Sequence, residues 1–121
     1  MTQEPNSKRY DLEDRTYEFA KRCRVLVKKL PRTLANVEDA RQLIRSSGSV
    51  AANYIEANEA ISKKDFLLRV KIARKEAKES RLWLRLCETN NERAEQDEAQ
   101  TLIAESVELG KIFGSILEKA K

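Results

Sequence analysis

The chain has 121 residues, 36% of them charged, a formal net charge of +4 and no histidine. Without imidazole there is no His-based acid–base catalysis, no Ser–His or Cys–His nucleophile and little scope for zinc. No run approaches the ~18 apolar residues of a membrane span and residues 1–11 hold no apolar signal segment, so a cytoplasmic single-domain protein is expected.

Only two prolines and three glycines interrupt the chain, and the apolar residues recur at helical spacing, which predicts an all-α fold. Residues 1–9 read as a frayed polar tail, and residues 10–121 as the domain. A first helix is expected from about Asp11, as cap, to Lys29, with the core row Leu12, Thr16, Phe19, Cys23, Leu26 and Leu30. Pro31 stops it. A second helix is capped by Asn36 and carries Val37, Ala40, Ile44, Ser47, Ala51, Tyr54, Asn58 and Ile61 on its row. Ser62 caps the third, with Asp65 three residues on. Its row is Phe66, Val70, Ala73, Ala77, Ser80, Leu84 and Cys87. Thr89–Asn91 forms a turn. The fourth helix starts between Glu92 and Asp97, with Ala99, Leu102, Ser106, Leu109, Phe113, Ile116 and Ala120 inward.

Short loops between four helices of similar length predict an antiparallel up-down-up-down four-helix bundle. A turn near Ser62 pairs Tyr54 with Val70, Ala51 with Ala73, Ser47 with Ala77 and Ile44 with Ser80. Gly48 costs its helix about 1 kcal/mol relative to alanine. Close approach of Ser47, Gly48, Ala51 and Ala52 to Ala73 and Ala77 is the expected compensation.

Charge is sorted by helix. Residues 8–32 carry nine Lys/Arg against four Asp/Glu, and residues 63–85 carry nine against three. Residues 88–121 reverse this, with four against eight. In the third helix, Lys71/Lys75, Arg74/Lys78 and Arg81/Arg85 are like-charged i,i+4 pairs, each unfavourable by about 0.2–0.5 kcal/mol in an isolated helix. Two explanations compete. One is a polyanion partner; the other is a basic helix of one subunit lying beside an acidic helix of another. A plain solvated face is the third reading. The phosphate-contact candidates are Lys21, Arg24 and Lys28 with Lys71, Arg74, Lys75, Lys78 and Arg81. Tyr10, Tyr17 and Trp83 are the only aromatics available for base stacking.

Trp83 falls on a second apolar stripe with Leu68, Ile72 and Leu86, interrupted by Glu76 and Glu79. Arg45 lies level with those carboxylates in the hairpin, and Ser49, Asn53 and Glu56 add polar groups nearby. A carboxylate catalytic cluster is one reading. A polar network that fixes helix register is the favoured one, since no nucleophile, phosphate-binding loop or metal cage accompanies the acids. No cofactor and no metal are expected. Cys23 and Cys87 sit on core rows and read as reduced thiols.

The segments RSSGSVAANYIEA and KKDFLLRVKIARKEAKESRLWLRL resemble the bacterial four-helix-bundle family named after proteins encoded in intervening sequences of 23S rRNA genes. The matching positions are Arg45, Ser46–Gly48, Ser49, Asn53, Ile55 and Glu56, then Lys63, Asp65, Phe66, Ile72, Ala73, Glu76 and Glu79. The family commonly has Gly after the Glu. Ala57 stands there here, which predicts that the second helix runs on. The resemblance implies a ring-shaped homopentamer and no catalytic residues. It extends to the accessory variability protein of diversity-generating retroelements, which implies RNA or DNA binding and a reverse transcriptase or other protein as partner. The expectation is therefore a non-enzymatic ring binding nucleic acid through its basic helices. The alternative is a protein-interaction scaffold whose basic helices serve subunit or partner contacts.

Overall fold

Local signals set the four helices. In the computed structural model, which describes residues 7–121, they are α1 (Ser7–Lys29), α2 (Leu34–Asn58), α3 (Lys63–Leu86) and α4 (Arg93–Lys119). α1 starts before the expected Asp11, because nothing between Ser7 and Asp11 breaks a helix. Asp11 is therefore interior and not the cap, and residues 7–9 of the expected tail are helical. Residues 1–6 lie outside the described residues. Pro31 follows the end of α1, and Lys28 and Lys29 fill its last turn, where cations suit the helix dipole.

α2 is capped by Thr33, not by Asn36: Thr33 Oγ1 accepts the Asn36 backbone N–H at 3.1 Å. Asn36 is instead buried as a loop clamp. Its Nδ2 donates to the carbonyls of Pro31 and Glu88, both at 2.8 Å, and its Oδ1 accepts from the Glu88 N–H at 2.9 Å. Ser62 caps α3 as expected, accepting from the Asp65 N–H at 3.0 Å. α3 stops at Leu86, slightly before the expected end. The turn into α4 places Asn90 and Asn91 at φ 56° and 63°, a left-handed conformation that asparagine tolerates.

Each helix packs on two neighbours: α1 on α2, α2 on α3, α3 on α4 and α4 on α1. α2 and α3 share the most extensive seam, and α1 and α4 the least. Among the described residues the backbones of α1 and α3 do not approach each other closely, so they occupy diagonal corners. Phe19, Leu26, Leu84, Leu102, Leu109 and Phe113 fill the core, each stabilising it by about 1.5–3 kcal/mol on burial. The core faces of α1, α3 and α4 are the expected ones, with Phe66, Cys87, Ile116 and Ala120 only half-buried.

The α2 row differs. Asn36, Leu43, Ser46, Ser47, Val50, Tyr54 and Ala57 are buried, while Val37, Ala40, Ile44, Ala51 and Asn58 are half-buried. Ile61 is 97% exposed, past the end of the helix. α2 is rotated by about one residue from the expected row. Ser80 accordingly meets Ser46, at 2.8 Å between hydroxyls, rather than Ile44. Gly48 faces α1, where a Cβ would meet Arg24 Nη2 at 3.3 Å. Close approach to α3 is thus not what Gly48 supplies. No described helix is long and apolar enough to cross a membrane.

Candidate nucleic-acid interface

α3 turns its small residues Ala73, Ala77 and Ser80 inward. Residues offset from that row by about one position, some 100° around the helix, fall on its edges. Lys71, Arg74, Lys78 and Arg81 form one such edge at spacings of three and four. Arg85 extends it, which the sequence reading left out although the Arg81/Arg85 spacing signals it. This edge faces α4: a Cβ on Gly114 would meet Arg74 Nη1 at 3.8 Å. Lys71, Arg74, Lys78 and Arg85 are exposed, and Arg81 is half-buried with its Nε sealed from water and without a hydrogen-bond partner. None of the five forms an ion pair among the described residues.

Lys75 lies apart from this row, with its Nζ 3.8 Å from Glu76. The α1 candidates are on the diagonal corner. Lys21 sits 5.9 Å above the Tyr17 ring, Arg24 donates to the Ala20 carbonyl at 3.3 Å, and Lys28 is exposed. The eight candidates therefore do not form one surface: Lys21, Arg24 and Lys28 lie on α1, and on α3 Lys75 stands apart from Lys71, Arg74, Lys78 and Arg81. Of the aromatics, Tyr17 is exposed, Trp83 is half-buried, and the Tyr10 side chain lies outside the described residues.

The acids of α4 turn the other way. Glu105 accepts from Arg15 Nε at 2.6 Å and Nη2 at 2.9 Å, and Glu98 accepts from Arg22 at 2.9 and 2.8 Å. These bidentate pairs bridge α1 to α4 and push both guanidinium groups above their ordinary proton affinity. An open groove of about 650 Å³ runs along this seam, with Arg15, Arg22, Glu105, Phe19 and Leu102 among its lining residues.

The expected polar network divides into two groups. Arg45 reaches Glu79 at 3.2 Å and the buried Glu76 at 3.6 Å. Separately, Asn53 donates to the Ser49 hydroxyl and carbonyl at 2.9 Å and accepts from Arg69 at 3.3 Å. Glu56 is exposed and joins neither. Both groups span the α2–α3 seam and tie the two helices together at these levels. No three metal-ligating side chains converge among the described residues. Cys23 and Cys87 are free thiols.

The chain matches the family of the 23S rRNA-intervening sequence protein over residues 8–115. It belongs to that family. A solved protein of unknown function from the S23 ribosomal protein family of Bacteroides thetaiotaomicron is 33% identical, with a TM-score of 0.74, covering 87% of this chain and 96% of that one. Comparison with curated proteins gives no match. The match and the neighbour's likeness agree with the four-helix bundle described above.

Proposed function

We propose that this family member is a non-catalytic, self-associating bundle that holds RNA or DNA by its phosphate backbone. The observation that carries the reading is the α3 edge of Lys71, Arg74, Lys78, Arg81 and Arg85, five cations without an acidic partner among the described residues. Such a row is costly in isolation and is relieved by a polyanion. The rival in which α3 lies against α4 of a neighbouring subunit is weakened, because Glu98 and Glu105 already bind arginines of their own chain. A homopentameric ring, the assembly the family resemblance implies, would bring α1 and α3 surfaces of several copies to one ligand and multiply a weak site by avidity.

Fluorescence anisotropy with labelled RNA, single-stranded DNA and duplex DNA tests this, with mass fixed by light scattering. Submicromolar binding at low salt is expected, with a log–log salt slope on duplex of up to about −4.5 if all five α3 cations meet phosphates. The Arg74→Glu/Lys78→Glu variant is expected to bind roughly tenfold or more weakly at unchanged mass. Unchanged affinity in that variant would remove α3 as the site. Absence of binding at low salt would remove the nucleic-acid reading, and loss of assembly in the variant would favour the scaffold.

A further inference from the structure

α3 carries a second row that the bundle leaves outside. Leu68, Ile72, Lys75, Glu79, Leu82 and Leu86 step by four, three, four, three and four, the spacing of a single helical seam. Leu68, Leu82 and Leu86 are 52%, 45% and 49% exposed, the Lys75 and Glu79 side chains are 62% and 41% exposed, and Ile72 is half-buried. The row is self-complementary when reversed: two apolar residues, a charge, the opposite charge, two apolar residues. Rows of the same spacing on α2 and α4 lack this symmetry. The α2 row sets Arg45 opposite Ile55, and the α4 row from Asp97 to Ser115 holds no large apolar residue.

We propose that the outer face of α3 is a two-fold self-association surface on which a second copy of this chain docks antiparallel. The axis passes between Lys75 and Glu79. Leu68 then meets the partner's Leu86, Ile72 meets the partner's Leu82, and Lys75 meets the partner's Glu79, each contact occurring twice. A parallel arrangement sets Lys75 on the partner's Lys75 and Glu79 on the partner's Glu79, so charge selects the antiparallel one. Arg45, 3.2 Å from Glu79, remains beside the new ion pair and supplies further positive charge. The contact is isologous and closes pairwise. It pairs single chains into dimers, and in a ring it gives each copy a contact to a neighbouring ring. The strip is about 27 Å long, small beside a standard interface of about 800 Å² per partner, so the association is weak and concentration-dependent. This extends the self-association part of the reading above and rests on none of its nucleic-acid part.

Sedimentation velocity over a concentration series, without nucleic acid, tests it on the wild type, Lys75→Glu, Glu79→Lys and an equimolar mixture of the two variants. The wild type is expected to gain mass with concentration, doubling it where the associating unit is a single chain. Each variant alone faces two repulsive pairs and is expected to associate roughly tenfold or more weakly. The mixture is expected to recover wild-type association, because the doubly acidic centre of one variant then faces the doubly basic centre of the other. Lys71→Glu, the same charge change outside the row, is expected to leave association intact, and Leu82→Ser to abolish it. Identical masses for wild type and Lys75→Glu at every concentration, or a mixture that fails to recover, overturns the proposal. A ring that persists in Lys75→Glu leaves the ring reading standing by itself. Loss of nucleic-acid binding in the α3-edge variant leaves this surface unaffected.

Discussion

Cys23 shows how burial alone sets a side chain's chemistry. Its thiol is fully enclosed, and that desolvation pushes its pKa up to about 12 from the ordinary 9.0, against smaller opposing effects from Ser47 and Arg24. The unfolded chain releases this proton near pH 9 while the folded chain keeps it. The contribution to stability is therefore complete below pH 9 and is lost as pH rises towards 12. Urea unfolding across that range should show a steeper decline for the wild type than for Cys23→Ala; parallel declines would mean that the thiol is not sealed. The row of Cys23 was legible in the sequence because its neighbours on α1 are apolar at helical spacing. Asn36 was not. Its partners at Pro31 and Glu88 lie on two different loops, and local sequence offered only the commoner role of an asparagine before a helix.

At the scale of the element, α2 is the instructive case. Two adjacent rows of this helix are both apolar or small, one with Val37, Ala40, Ile44 and Ala51, the other with Leu43, Val50 and Ala57. Periodicity cannot separate rows only about 100° apart when each would pack. The neighbours decide: Leu43 and Val50 enter the core, and Ser46 finds Ser80. The same rotation turns Gly48 towards Arg24 and away from α3, so its cost in helix propensity brings no close backbone contact. Gly110 is equally unconstrained, with nothing within 4 Å of an added Cβ. Gly110→Ala is expected to stabilise the protein by about 0.5–1 kcal/mol. Gly48→Ala should gain less, because the Arg24 guanidinium must shift. Denaturant midpoints measure both, and destabilisation by Gly110→Ala would mean that a neighbouring chain covers that position.

At the scale of the molecule, the cyclic order of the helices decides what the charges do. Glu98 and Glu105 of α4 are engaged by α1, and the cations on the α3 edge that faces α4 are left without an acidic partner among the described residues. The α1–α4 seam is the sparsest, and two exposed or half-exposed ion pairs cross it beside an open groove. Exposed pairs of this kind contribute at most about 1 kcal/mol each. α1 is therefore expected to exchange its amide hydrogens first, and the α2–α3 hairpin last. Hydrogen exchange read by mass spectrometry would show it, and equal protection of α1 and α3 would contradict the packing order. Higher salt should widen the difference by screening the Arg15 and Arg22 pairs.

The number of helices, the Ser62 cap, the stop at Pro31 and the core faces of α1, α3 and α4 were written in the sequence, because caps, breakers and a 3.6-residue period act within one or two turns of chain. The self-complementary row on α3 is also a sequence pattern, but its exposure is not. The buried face of α2, the Asn36 clamp between two loops, the diagonal placement of α1 and α3, and the division of cations into paired and unpaired sets came only from the tertiary structure. Each depends on contacts between residues far apart in the chain, and local periodicity carries no information about which helix lies on which side of its neighbour.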